Sequence, residues 1–164
     1  MVQSYHILRA EGGVFVKEVS VLFVCLGNIC RSPLAEGIAR HMAKESALEL
    51  LVDSAGTSNF RASQPPCEGS ISVALKRGID ISALRSRQVC SSDDWHDLIV
   101  AMDEQNYQDL LAMGFLESKV RKLGHFGLNG LDIPDPYHFR NGEGFERVYG
   151  LIEQGVKNLL ATVA

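Results

Sequence analysis

Short apolar runs without polar alternation recur along the chain, separated by stretches with helical period. The first, Ser20–Cys25 (SVLFVC), is β-branched and aromatic, the pattern of a strand buried on both faces. After a loop, Ser32 can act as N-cap with Pro33 at the first helical position. Leu34, Ala35, Ile38 and Met42 then recur at helical spacing, which predicts a helix to about Glu45. A second strand, ELLVDSA (49–55), leads into the turn-rich GTSNFRASQPP. A helix near Cys67–Arg77 should end at Gly78, a suitable residue just past a helix terminus. SSDDWHD starts a short helix, DLIVAM is the next buried strand, and DEQNYQDLLAMG the next helix. KVRKLGHF reads as a fourth strand, Gly124–Arg140 as a long loop with two prolines, and residues 142–163 as an amphipathic C-terminal helix.

This alternation predicts an α/β domain with a parallel sheet. Residues 1–18 read as an N-terminal extension, either one strand around GVFVKEV or an arm, and residues 19–164 as a single domain. In such sheets ligands bind beyond the carboxyl ends of the strands. Three segments lie at such ends: the loop after Cys25, the stretch Asp53–Phe60, and Ala101–Asp103.

Composition narrows the class. With 164 residues the chain can bury a substantial core, and 46% hydrophobic with 22% charged residues is ordinary for a globular protein. A net charge of −4 argues against a nucleic-acid binder relying on a broadly basic surface. No apolar run approaches the roughly 20 residues of a membrane span, and the N-terminus lacks the pattern of a signal peptide, so no membrane partner and a cytoplasmic location are expected. The four cysteines, Cys25, Cys30, Cys67 and Cys90, show no zinc-type spacing, and the five histidines no metal spacing. No metal or cofactor is expected, and an active thiol outweighs a structural disulfide framework.

The thiol that matters sits in VCLGNICRSP, Val24–Pro33. A strand, a tight loop and a helix start make an anion site, because loop N–H groups converge where the helix dipole is positive. The expected cradle comprises Leu26, Gly27, Asn28, Ile29, Cys30, Arg31 and Ser32, with Gly27 and Asn28 tolerating positive φ. Arg31 offers a planar fork matched to two phosphate oxygens. A thiol in such surroundings should be acidified, from about 8.5 to roughly 3.5–7.5. Cys25 is therefore the expected nucleophile beside an oxyanion cradle, and the Ser32 hydroxyl can hydrogen-bond its thiolate.

The stretch VLFVCLGNICRSPLAEGIAR resembles the low-molecular-weight protein tyrosine phosphatase family, and the likeness continues through VDSAGTS, RQV, AMDEQN and DPY, from about Ser20 to the C-terminus. The resemblance implies a four-stranded parallel sheet flanked by helices on both faces, in agreement with the strand count above. It implies Cys25 as nucleophile, Arg31 as phosphate-binding arginine, Ser32 as loop serine, and Asn28 as loop organiser held with the help of Ser54. Asp135 in DPYH matches the general acid, which Pro134 and Pro136 would stiffen, and protonating a departing phenolate suits a carboxylic acid. Phe60 stands for the aromatic pocket wall, and Tyr137 should flank the entrance with it. The implied substrate is a phosphotyrosine-containing protein, cleaved through a phosphocysteine by a monomer or weak homodimer. The chain departs from the family in reading Cys67-Glu68-Gly69 where members often carry Asp-x-Arg, in Tyr137-His138 where animal members have two tyrosines, and in residues 1–18, which have no counterpart.

Other functions on this scaffold fit less well. Arsenate reductases relay oxidation through two further cysteines several residues apart, whereas Cys67 and Cys90 are widely separated. Arginine phosphatases tend to carry threonine where Ile29 stands, and isoleucine narrows a pocket towards a flat aryl group. A binding or redox-sensing module would need neither the thiol nor the acid. Asp103 is read as orienting neighbouring loops, and Cys30 as lying within bonding reach of Cys25 across the curled loop.

Overall fold

The computed structural model describes residues 6–9, 12–13, 15–46, 48–139 and 142–164. Residues 1–5, 10, 11 and 14 of the extension, and Arg140 at the end of the long loop, lie outside the described residues. Five strands form one sheet: β1 (His6–Arg9), β2 (Phe15–Cys25), β3 (Leu48–Gly56), β4 (Leu98–Ala101) and β5 (Val120–Lys122). Four of them, in the order β3-β2-β4-β5, are parallel. Strand β1 is antiparallel to the start of β2, pairing His6 with Glu18 and Arg9 with Phe15. Lys17 and Glu18 face β3 on their other side, so β1 lies along the same flank of β2 as β4. Strand β2 runs unbroken from Phe15 to Cys25, across residues 18 and 19.

The period of two along β2 explains the layers. Val19, Val21 and Phe23 pack on one face with Leu98 and Val100, against helices α1 (Arg31–Ala43), α2 (Glu68–Leu75) and α4 (Glu143–Val163). Leu22 and Val24 pack on the other with Ile99 and Ala101, against Leu110 of α3 (Glu104–Ala112) and Phe115. Both faces are covered, which is why these strands read as continuous apolar runs. Helix α4 buries one stripe, Val148, Tyr149, Ile152, Val156, Leu159 and Val163, as its sequence period required.

Helix α1 departs from the amphipathic expectation. Its first nine residues, Arg31 to Ala39, are all buried, because its N-terminal half is enclosed between the sheet, α4 and the Ile79–Ile81 segment. Small residues make this possible: a Cβ on Gly37 would strike the Ile81 side chain. Ser32 is not the cap either. Cys30 occupies the cap position and Ser32 is the second helical residue, because its hydroxyl is engaged with the loop; Pro33 is third, still in the first turn where a missing N–H costs nothing. SSDDWHD forms only a 3₁₀ turn, Ser91–Trp95, and the long loop contains two more, Leu123–His125 and Pro136–His138.

Register places the site. Cys25 pairs with Gly56 at the end of β3, and Val24 with Ala101 at the end of β4, so three strand ends converge where the ligand edge was expected.

Candidate active site

The loop from Leu26 to Cys30 is held from outside through its carbonyls. The Cys25 carbonyl accepts from the Thr57 N–H at 2.9 Å, Leu26 from the Ser58 N–H at 3.0 Å, and Ile29 from the Cys67 N–H at 2.8 Å. The Cys30 carbonyl accepts from the Ser70 hydroxyl at 3.0 Å. A peptide C=O and the following N–H point in opposite directions. The N–H groups of Leu26, Gly27, Cys30 and Arg31 therefore turn away from those outer partners. The Asn28 N–H donates to Cys25 Sγ at 3.2 Å.

Asn28 makes this curl possible. Its φ is +55°, in the left-handed region that asparagine tolerates. Its side-chain amide donates to Ser32 Oγ at 2.8 Å and Ser54 Oγ at 2.9 Å, and its carbonyl oxygen accepts from the Arg87 N–H at 3.0 Å. Ser54 in turn donates to Glu36 Oε1 at 2.7 Å. Burial raises the Glu36 carboxyl above its ordinary value, opposed by its bonds from Ser54 and Arg40. With Asn28 donating to it, Ser32 Oγ lies 3.0 Å from Cys25 Sγ and 3.5 Å from the Ala55 carbonyl, the two groups within reach of its single proton.

Arg31 is buried at the start of α1, and its Nη1 donates to Asp103 Oδ2 at 2.7 Å and to the Ile133 carbonyl at 3.0 Å. Burial works against its charge, but the nearby Cys25, Asp103 and Asp135 outweigh it and raise its pKa. Asp103 also accepts from the Asn106 N–H at 2.8 Å, capping α3. It thus orients two elements at once, as read from sequence, and the tie to Arg31 is additional.

Asp135 caps the Pro136–His138 turn, accepting from the Tyr137 N–H at 2.9 Å. It lines a cavity of about 340 Å³ together with Cys25, Leu26, Gly27, Ile29, Cys30, Arg31, Phe60 and Tyr137. Asn28, Ser32 and Ser54 are packed behind the loop as its support. The mouth is apolar: Phe60 is 83% exposed, Tyr137 62% and Leu26 51%. Tyr137 rests edge-on against Phe145, their ring centres 5.5 Å apart.

Sequence reasoning assigned no role to several residues the site uses. Glu36, Ser58 and Arg87 fall within the family-like stretches but were given no role, and Arg61 lies outside them; what each does is set by strand register and loop packing. Gly56 had a local signal, a glycine at a strand end. A Cβ there would lie 2.7 Å from the Leu26 carbonyl oxygen and 3.1 Å from the Asn28 nitrogen, so only glycine lets β3 run beneath the loop. Cys67 was set apart only from Cys90 and given no role; its Sγ lies 2.7 Å from that of Cys30, and both thiols are free. Among the described residues no group of three or more His, Cys, Asp or Glu side chains is placed to hold a metal ion.

A half-buried thiol-and-arginine loop at the carboxyl edge of a parallel sheet, with a carboxylate across the cavity, defines a cysteine-dependent phosphate-ester hydrolase. The chain belongs to the family "Low molecular weight phosphotyrosine protein phosphatase", whose model matches residues 20–164. It is 41% identical over 152 residues to the low molecular weight protein-tyrosine-phosphatase YfkJ of Bacillus subtilis, covering 88% of this chain and 96% of that protein. Against the crystal structure of YfkJ the TM-score is 0.82 at 40% identity, covering 89% of this chain and 94% of that one. PtpA of Staphylococcus aureus, also a low molecular weight protein-tyrosine-phosphatase, is 37% identical over 145 residues, covering 87% and 92%. A protein tyrosine phosphatase from Entamoeba histolytica, crystallised with Hepes in its active site, matches with TM-score 0.81 at 36% identity, covering 88% and 96%.

The loop's dependence on Gly56 is testable. Gly56→Ala should cost about 1–3 kcal/mol of stability through overpacking against backbone that cannot yield. It should also weaken vanadate binding. Unchanged melting temperature and vanadate affinity would mean that the loop is not seated on β3 in this way.

Proposed function

We propose that the chain hydrolyses phosphotyrosine in proteins, with Cys25 as nucleophile, Arg31 and the loop N–H groups as phosphate binders, and Asp135 as acid and then base. The observation that carries this reading is Cys25 Sγ beneath the Asn28 N–H and Ser32 hydroxyl, in the same cavity as the Asp135 carboxyl. The Cys25 thiolate attacks phosphorus while the bond to the phenolic oxygen breaks. Asp135 gives its proton to the departing oxygen. Charge on the equatorial oxygens is met by the inward N–H groups of the loop and by Arg31, whose bonds to Asp103 and Ile133 both use Nη1 and leave Nε and Nη2 for substrate. In the second step the Asp135 carboxylate takes a proton from water, which attacks phosphocysteine. The thiolate leaves, stabilised by Ser32.

The apolar mouth supports an aryl ester. Phe60, Tyr137, Leu26 and Ile29 surround the approach to Cys25 with flat or branched surface. Among the described residues no helix is long and apolar enough to cross a membrane. A side-by-side assay on phosphotyrosine, phosphoserine and phosphoarginine peptides tests the substrate class, with preference for phosphoserine or phosphoarginine overturning it.

Three variants test the roles. Cys25→Ser should abolish turnover while leaving vanadate or phosphate binding measurable; retained turnover would remove Cys25 from the mechanism. Asp135→Asn keeps the shape and removes the proton, so phosphocysteine formation should fall by about 10²–10⁴-fold for poor leaving groups. The loss should be small for nitrophenyl phosphate and grow as the leaving group becomes more basic. An unchanged dependence on leaving-group pKa would assign the proton to water or another residue. Phe60→Ala should weaken aryl phosphates relative to alkyl ones by roughly 0.5–1.5 kcal/mol. An equal loss for both would indicate loop damage instead.

A further inference from the structure

The sequence placed Cys30 within bonding reach of Cys25, and the structure sets a further sulfur beside it. Cys30 Sγ and Cys67 Sγ are 2.7 Å apart, and both thiols are free. The two backbones are tied as well. The Cys67 N–H donates to the Ile29 carbonyl at 2.8 Å, and the Ser70 hydroxyl, in the first turn of α2, donates to the Cys30 carbonyl at 3.0 Å. The pair is thus held in register by bonds that do not involve sulfur, and only a small movement separates it from the roughly 2.05 Å of a disulfide. Cys30 is buried within the cavity wall, while Cys67 is half-buried and within reach of a small oxidant.

We propose that Cys30 and Cys67 form a reversible disulfide at the wall of the catalytic cavity when a hydroperoxide reaches them. The chemistry balances: the Cys67 thiolate attacks one oxygen of hydrogen peroxide, the O–O bond breaks, Cys67 becomes a sulfenic acid, and the departing hydroxide takes up the proton the thiol had lost, giving water. The Cys30 sulfur then attacks that sulfenic sulfur, its S–H proton passes to the departing oxygen, a second water leaves, and the S–S bond forms. Two thiols lose two electrons and one peroxide gains them. The hydrogen bond from Cys30 draws the Cys67 thiol below its ordinary pKa despite burial, with Ser70 and Tyr137 adding to it. The same contact, with burial, pushes Cys30 up. Cys67 is accordingly the attacking sulfur. A bridge to Cys67 uses the single bond Cys30 can make, so Cys25 is not joined to it.

The bridge also reaches the substrate mouth. Cys30, Ile29 and Tyr137 line the same cavity, and Cys67 is tied to the Ile29 carbonyl of that wall, so drawing the two sulfurs together moves the wall. Oxidation should therefore reshape the cavity in which the aryl group is seated. This second consequence rests on the phosphatase reading; formation of the bridge does not.

The test uses the full-length protein and hydrogen peroxide, with mass spectrometry after alkylation. Titratable thiols should fall from four per chain to two, and return with dithiothreitol. Tryptic peptides Glu18–Arg31 and Ala62–Lys76 should appear cross-linked. The link should persist in Cys25→Ser, where only Cys30 can supply the first peptide's sulfur, and vanish in Cys67→Ser. A bridge confined to Glu18–Arg31, or sulfinic acid at Cys67 without a link, overturns the proposal. For the bridged protein, KM for an aryl phosphate should rise by about 2- to 10-fold and return with dithiothreitol. An unchanged KM in a protein shown to be bridged overturns the coupling to the cavity and leaves the hydrolytic mechanism untouched.

Discussion

The site depends on one residue held in a conformation it would not otherwise favour. Asn28 sits at φ +55°, which costs a non-glycine residue on the order of 1 kcal/mol, less for asparagine than for most. Against this stand four hydrogen bonds: its N–H to Cys25 Sγ, its amide to Ser32 and Ser54, and its carbonyl oxygen from Arg87. At roughly 0.5–1.5 kcal/mol each, they outweigh the backbone cost. The loop is therefore curled by the protein and not by its ligand, so a phosphoryl group finds its donors already aimed. That is the condition under which such donors contribute most to catalysis, since nothing reorganises at the moment of reaction.

Arg31 extends that rigidity across the cavity. One terminal nitrogen holds both Asp103, beyond β4, and the carbonyl of Ile133, two residues before the proposed acid. Ile133 also donates its N–H to Met102, which donates its own to Val24, next to Cys25. The chain of bonds from β2 through β4 to the Asp135 segment fixes the acid's backbone relative to the thiol. An arginine buried this deeply carries a desolvation cost, and Asp103 on one side with the nearby Cys25 on the other offsets it.

What could be read from the sequence followed the range of the interactions. The strands, the helices and the cradle are local. SVLFVC is apolar on both faces because both faces are covered, and Gly-Asn, Ser-Pro and Asp-Pro declare their backbones in two residues. What escaped was long-range. Glu36 looks like an ordinary helix residue until β3 brings Ser54 against it, and Arg87 like a surface charge until its N–H meets Asn28. Ser32 has an N-cap's sequence context, but a cap needs a free hydroxyl, and this one is committed to Asn28 and Cys25. Cys67 lies 37 positions from Cys30, and no spacing rule announces two sulfurs brought together by the packing of α2 on the loop.

The electrostatics of the molecule are as local as its hydrogen bonds. At a net charge of −4 the chain as a whole does not attract a phosphoprotein, and at physiological salt fields from distant charges fade over about 8 Å. Attraction must come from within the cavity. There Arg31 supplies a buried cation, the first turn of α1 a partial positive charge, and Arg61 a second guanidinium side chain in the lining. Selection for a phosphorylated side chain then depends on depth: an anion must come within a few ångströms of the loop before it meets positive charge. The exposed rings of Phe60 and Tyr137 stand where such an anion would have to be carried on something long, flat and apolar. A phosphotyrosine side chain meets both demands, whereas phosphoserine is too short to span them.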